Sequence, residues 1–213
     1  MIKVFALVAV FAALPAFAQE LGPEALVKQM TQEVMDAIKT DKQLAAGDRQ
    51  KAVKLAEEKI LPHVDFEEAT RLAVGRGWNQ ATPEQKKKLV SEFRSMLVRT
   101  YSNAIQPYEG QQMKVMPVRM KPGDTEVTVQ NQFVRSGAQP VKIDYQMRKT
   151  DKGWKIYDIV AEGVSLVLTY RSEFDAVIKQ DGIDGLIKRL AQKNTAPAAV
   201  GGTAAGKAAK QGK

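Results

Sequence analysis

No cysteine occurs anywhere in this 213-residue chain. Its absence rules out disulfides, a thiol nucleophile, thiolate metal sites and a cysteine-borne lipid anchor. Histidine is nearly as scarce: His63 stands alone, with no second imidazole to share a metal. No serine lies in a G-x-S-x-G turn, and neither a Walker loop nor a dinucleotide-binding glycine fingerprint is present. Beyond the N-terminus, no apolar run approaches the roughly 20 residues that a membrane-spanning helix needs. The charge excess is also smaller than it looks. Of the formal +8, Lys3 lies at the N-terminus and Lys207, Lys210 and Lys213 in the C-terminal tail, which leaves +4 on Gln19 to Asn194. That is a mildly basic body and not the footprint of a nucleic-acid binder.

What is present begins with an export signal. Lys3 supplies the positive start, Val4 to Leu14 the apolar stretch, and Ala16-Phe17-Ala18 the small-x-small cleavage pattern. Cleavage is expected after Ala18, leaving residues 19–194 as one folded domain. From Thr195 to Lys213 the chain is Ala, Gly, Pro, Thr and Lys without periodicity, and reads as a disordered tail. An exported domain without disulfides must be held by its core, and about 175 residues suffice to bury roughly 70% of the unfolded surface.

The first half of the domain reads as helices. Leu21 to Thr40 opens at Pro23 and carries one apolar stripe; Asp48 caps a second helix to Ile60. Asp65-Phe66-Glu67-Glu68 resembles a capping box before a short helix to Val74. Gly75-Arg76-Gly77-Trp78 reads as a corner. Thr82-Pro83-Glu84-Gln85 then starts a long helix to about Ala104, with Leu89, Phe93, Met96, Leu97 and Tyr101 along one face. After Pro107 the period changes to that of strands: Met113 to Met120, Glu126 to Val134, Val141 to Lys149 and Trp154 to Glu162, separated by hairpin-length turns. In the third, Val141, Ile143, Tyr145 and Met147 alternate with Lys142, Asp144, Gln146 and Arg148. One face is apolar and one wet, as in an antiparallel meander covered on one side. From Ser165 a helical period returns through Leu166, Val167, Tyr170 and Phe174, and Asp181-Gly182 breaks it before a second short helix.

Candidate chemistry is thin. His63 sits in a helix-to-helix corner, while Asp144, Asp158 and Glu162 lie on adjacent strands as possible acid–base partners. The tyrosines are more informative. Tyr101, Tyr145, Tyr157 and Tyr170 each join an apolar ring to a polar tip, which suits the mouth of an apolar cavity as well as four separate core positions. Arg99 and Arg171, beside two of them, suit either a phosphate or plain solvent.

Several blocks resemble one family in order and spacing. They are Phe66 … Thr70-Arg71-Leu72-Ala73 … Gly75-Arg76 … Trp78 … Ala81-Thr82-Pro83-Glu84-Gln85; Leu97-Val98-Arg99-Thr100-Tyr101-Ser102-Asn103; Gly163-Val164-Ser165-Leu166-Val167 followed by Tyr170-Arg171-Ser172-Glu173-Phe174; and Gly182-Ile183-Asp184-Gly185-Leu186-Ile187. Together these resemble the MlaC family, periplasmic phospholipid carriers also called toluene-tolerance auxiliary proteins. The resemblance spans roughly Leu26 to Lys193 and leaves the tail outside.

The resemblance implies an α+β fold: a twisted four-stranded antiparallel sheet wrapped by helices, a nuclear-transport-factor-like cone with added helices, enclosing an apolar cavity. It implies glycerophospholipid as cargo, no cofactor or metal, no catalysis, and a monomer in the periplasm. The implied partners are an inner-membrane ABC transporter complex and an outer-membrane lipoprotein–porin complex, between which lipid is carried to maintain outer-membrane asymmetry. On such a fold the expected cavity lining is Phe93, Leu97 and Tyr101 from the long helix, Val129, Phe133, Ile143, Tyr145 and Tyr157 from the strands, and Leu166, Val167 and Tyr170 from the C-terminal elements. The competing reading is a small exported hydrolase or isomerase on a cone-like fold, using Asp144, Asp158 or His63.

Overall fold

The apolar stripes and turn residues assemble into six α-helices and one sheet, seen in a computed structural model that describes residues 21–102, 112–134, 137 and 139–195. The expected export signal and the chain from residue 196 onward lie outside the described residues. Helix α1 (Pro23–Thr40) starts at its proline as expected and buries Leu26, Val27, Met30 and Ile38. A one-turn helix α2 (Lys42–Ala45) and α3 (Arg49–Lys59) follow, each entered through an aspartate whose carboxylate accepts backbone N–H bonds. Ile38, Leu44, Ala52 and Leu55 tie these three into a small core of their own.

Helix α4 (Phe66–Val74) keeps only half of the expected capping box. Asp65 Oδ1 accepts the Glu68 N–H at 3.0 Å, but the Glu68 side chain turns away to Arg71 and, at 2.8 Å, to Arg148 of the sheet. A salt bridge across the tertiary fold has outcompeted the local cap. A 3₁₀ corner at Gly75–Gln80 leads to α5 (Pro83–Tyr101), where the reciprocal box is complete: Gln85 N–H donates to Thr82 Oγ1 at 3.2 Å, and Thr82 N–H to Gln85 Oε1 at 3.0 Å.

The sheet is an antiparallel meander in chain order: β1 (Gln112–Val115), β2 (Glu126–Val134), β3 (Val141–Thr150), β4 (Gly153–Ala161) and β5 (Val164–Ser165). Two expectations are corrected. The first strand ends at Val115 instead of Met120, and the sheet has five strands instead of four. Both residues between β4 and β5 are left-handed, Glu162 at φ 50° and Gly163 at φ 82°, which makes a two-residue hairpin turn and sends the chain back along β4. The helical period read from Ser165 therefore begins late: a 3₁₀ turn at Leu168–Tyr170 precedes α6 (Arg171–Thr195). Gly182, at φ 70° and ψ −173°, breaks α6 where Asp181-Gly182 predicted it.

Two principal cores result. One lies between α1 and the sheet, the other among α4, α5, α6 and the corner carrying Trp78. Leu186, 1% exposed, is central to the helical core. Leu186→Ala is expected to lower unfolding free energy by roughly 2–5 kcal/mol in urea titration, whereas Leu168→Ala, at an exposed position, should change it by less than about 0.5 kcal/mol.

Candidate functional site

The sheet has one apolar face, and its register shows how far that face extends. Val127, Val129, Asn131 and Phe133 of β2 stand opposite Met147, Tyr145, Ile143 and Val141 of β3. On β4 the same face continues through Trp154, Ile156 and Ile159, and on β1 through Val115. Helix α1 covers one half: Leu26, Val27 and Met30 pack on Val129, Tyr145, Met147, Trp154 and Ile156. The Tyr145 hydroxyl lies beside Thr31 of α1, and its pKa is raised, chiefly by burial. Beyond that cover the burial fades. Val115, Phe133, Ile143 and Ile159 are half-buried, and Val141 is 43% exposed.

The helical core presents an aromatic wall. The Phe93 ring meets Tyr170 and Phe174 edge-on, with centroids 5.4 and 5.3 Å apart, and Tyr170 and Phe174 are 5.6 Å apart. Leu97 packs on this cluster half-buried. The hydroxyls of Tyr101 and Tyr170 approach to 3.4 Å. Burial, and after it Tyr101, pushes the Tyr170 phenol well above the ordinary range, so Tyr170 keeps its proton at any physiological pH.

The expected lining thus divides. Phe93, Leu97, Val167 and Tyr170 share the helical core, and Tyr101 joins them through its hydroxyl. Val129, Ile143 and Tyr145 belong to the sheet core, with Phe133 on the same face. Leu166 is half-buried at the junction, its N–H donating to Ile159 O at 2.9 Å. Tyr157 stands apart. A bulge between Gln146 and Met147 leaves it unpaired, and its pKa is raised by burial first and then by Glu126, Glu68 and Asp158, with Arg148 acting the other way. Strict alternation likewise sets Tyr157 with Gly153 and Lys155, apart from Trp154 and Ile156; what the bulge changes is that Ile159 returns to the apolar face.

Two surface hollows are described, and neither is the expected apolar cavity. One, of about 470 Å³, is lined by Pro117, Val118, Arg119, Asp124, Glu126, Val127, Thr128 and Gln130. The other, of about 210 Å³, lies between the end of α4 and the start of α6.

The acid–base candidates have other employment. Asp158, 3% exposed, accepts hydrogen bonds from Ser165 Oγ, from Ile159 N–H at 2.8 Å and from Val167 N–H at 3.1 Å. Burial raises its pKa against the pull of those bonds. His63 is half-buried in a 3₁₀ turn; burial first, then Lys155, lowers its pKa. Among the described residues, no group of three or more His, Asp or Glu side chains has the geometry to hold a metal ion.

A family model described as MlaC protein matches residues 28–192. The chain belongs to the MlaC family. Among curated MlaC relatives, the intermembrane phospholipid transport system binding protein MlaC of Haemophilus influenzae is 23% identical over 84% of this chain and 85% of its own. The toluene tolerance protein ttg2D of Pseudomonas putida is 22% identical over 84% of this chain and 82% of its own. A solved structure, the phospholipid-binding protein of Ralstonia solanacearum in complex with a phospholipid, is 38% identical and superposes with a TM-score of 0.71. The match covers 80% of this chain and 96% of that one.

The Asp158 clasp yields a prediction with a definite sign. Because its folded-state pKa is raised above the ordinary 3.8, the folded chain holds that proton more tightly than the unfolded chain does. The carboxylate therefore costs stability as pH rises through the raised value, a cost absent below about pH 4. In urea unfolding from about pH 7 to about pH 4, the wild type should gain stability relative to Asp158→Asn, which cannot titrate. Asp158→Ala strands the three donors and should cost roughly 2–4 kcal/mol at neutral pH. The opposite slope would mean that the hydrogen bonds outweigh burial.

Proposed function

We propose that this protein is a periplasmic phospholipid carrier that moves glycerophospholipid between outer-membrane and inner-membrane complexes, without catalysis. The observation that carries the reading is the apolar sheet face. Among the described residues it runs on from the part sealed under α1 through Val115, Phe133, Ile143 and Ile159, which are only half-buried, where an ordinary domain would turn polar or lay another helix. The phospholipid bound by the Ralstonia solanacearum relative supports it, as do the names of the curated relatives. On this reading acyl chains lie on the uncovered half of the sheet. Leu97, Tyr101 and Tyr170 bound them from the helical side, and the two tyrosine hydroxyls mark a polar rim. Phe93, Val129 and Val167 then support the lining from behind, since each is buried in a packed core.

Energetics set what such a site must achieve. Each methylene removed from water is worth about 0.8 kcal/mol, so two acyl chains cannot cross an aqueous compartment unprotected. A bilayer offers them an equally apolar home. The carrier therefore needs a cavity about as favourable as a membrane and no better, and docking partners decide at which end the lipid leaves.

Lipid extraction and mass spectrometry of protein expressed in the periplasm test the reading directly; a chain that never carries phospholipid sinks it. Two arginine substitutions on the same sheet face locate the site. Ile143→Arg places a charge on the half-open part, where the side chain can bend to solvent; the protein should fold by circular dichroism and lose more than about tenfold of its phospholipid. Val129→Arg, at a position with no exposure, should prevent folding. A folded Ile143→Arg protein with its full complement of lipid would place the acyl chains elsewhere.

A further inference from the structure

The hollow of about 210 Å³ between α4 and α6 is lined by Arg71, Leu72, Gly75, Arg76, Asn79 and Arg171. Three of its six residues are arginines. We propose that it is a binding site for a phosphate-class oxyanion, either free phosphate or the phosphodiester of a lipid headgroup at a membrane surface. The site does not depend on the carrier reading, because its chemistry needs no acyl chain.

Charge is the first argument. Arg71 is paired with Glu68, but that carboxylate also serves Arg148, at 2.8 Å, and Arg148 draws on Asp65 as well, at 3.2 Å. Asp175 is the other nearby acid, and it is held by Lys179 at 2.6 Å, with Arg76 and Arg171 acting on it only after that bond. Among the described residues neither Arg76 nor Arg171 has a carboxylate within ion-pair distance. With their partners counted, five cations (Arg71, Arg76, Arg148, Arg171 and Lys179) stand against three carboxylates (Glu68, Asp65 and Asp175), a surplus of two. The C-terminal end of α4 attracts cations, which is the plain explanation for one arginine there. It supplies only about half a negative charge, too little to balance the surplus.

Geometry is the second argument. Gly75 sits at φ 61°, and a Cβ at that position would lie 3.1 Å from Arg171 Nε and 3.2 Å from its Nη2. The guanidinium of Arg171 therefore rests against bare backbone that only glycine exposes. A planar fork beside that backbone presents paired N–H donors matched to the oxygens of an oxyanion. Asn79 adds an amide that can donate to a further oxygen. The volume is several times the roughly 30 Å³ that one water occupies, so a tetrahedral oxyanion fits.

The full-length protein is titrated with inorganic phosphate, followed by ³¹P NMR, and separately cosedimented with phosphatidylglycerol vesicles. Arg76→Gln/Arg171→Gln is compared with Lys114→Gln/Lys142→Gln, which removes the same charge from exposed positions on the polar sheet face. Arg76→Gln alone serves as the milder variant should the double substitution disturb folding. The arginine pair is expected to weaken binding at least about tenfold, against less than about twofold for the lysine pair. Loss in the phosphate titration identifies free phosphate as a ligand, and loss confined to vesicles identifies the headgroup. Equal weakening by both pairs would mean bulk charge alone and would overturn the site, as would failure of the wild type to bind either probe.

Discussion

One buried carboxylate sets how the sheet meets the helical wall. Asp158 leaves β4 just after the bulge and gathers three donors, two of which, Ser165 Oγ and Val167 N–H, belong to the segment that turns from β5 into α6. Hydrogen bonds to a charged acceptor contribute about 1.5–3 kcal/mol each, while removing the charge from water costs several kcal/mol. The two effects come close to cancelling, so the role of Asp158 is geometric more than stabilising. Without it, Val167 has no fixed approach to the helical core, and Tyr170 and Phe174 lose the anchor that aims them at Phe93.

Much of this was legible in the sequence because it rests on local rules. The capping box at Thr82, the proline starts of α1 and α5, the alternation in β3 and the break at Gly182 each need only neighbouring residues, and each is present. The failures share a different cause. Glu68 reads as a cap but is claimed by Arg148, 80 residues away. The β5 hairpin depends on Glu162 adopting a left-handed conformation that a non-glycine residue seldom takes, here with its N–H held by Lys142 O at 3.0 Å across the sheet. Tertiary partners made these choices, and no window of sequence contains them.

The candidate site was legible in kind and less so in detail. Apolar and aromatic positions on the long helix and on one face of β2 and β3 could be named from periodicity. Which of them are packed core and which border open space could not, because that depends on how far α1 reaches across the sheet. Val129 and Ile143 look alike in an alternating strand, yet one is sealed under α1 and the other half-open. Tyr157 alternates with Gly153 and Lys155, so its separation from Trp154 and Ile156 was legible in the strand itself. The arginine hollow passed as a turn because Arg71, Arg76 and Arg171 converge only once α4 and α6 are placed.

Keeping the two principal cores separate has a consequence for a carrier that must exist both full and empty. A dry cavity costs about 24 cal/mol per Å³, so several hundred Å³ left empty would cost on the order of 10 kcal/mol, comparable with the whole stability of a domain. An empty carrier must therefore close its cavity, and closing must not disturb what holds it together. Here α1 secures one half of the sheet, and the contacts among Phe93, Phe174, Leu186 and Trp78 secure the helices. Each layer is packed without help from the surface between them. On the proposed carrier reading, lipid fills that surface or the layers approach across it at little cost to either core, so that its release need not begin with unfolding.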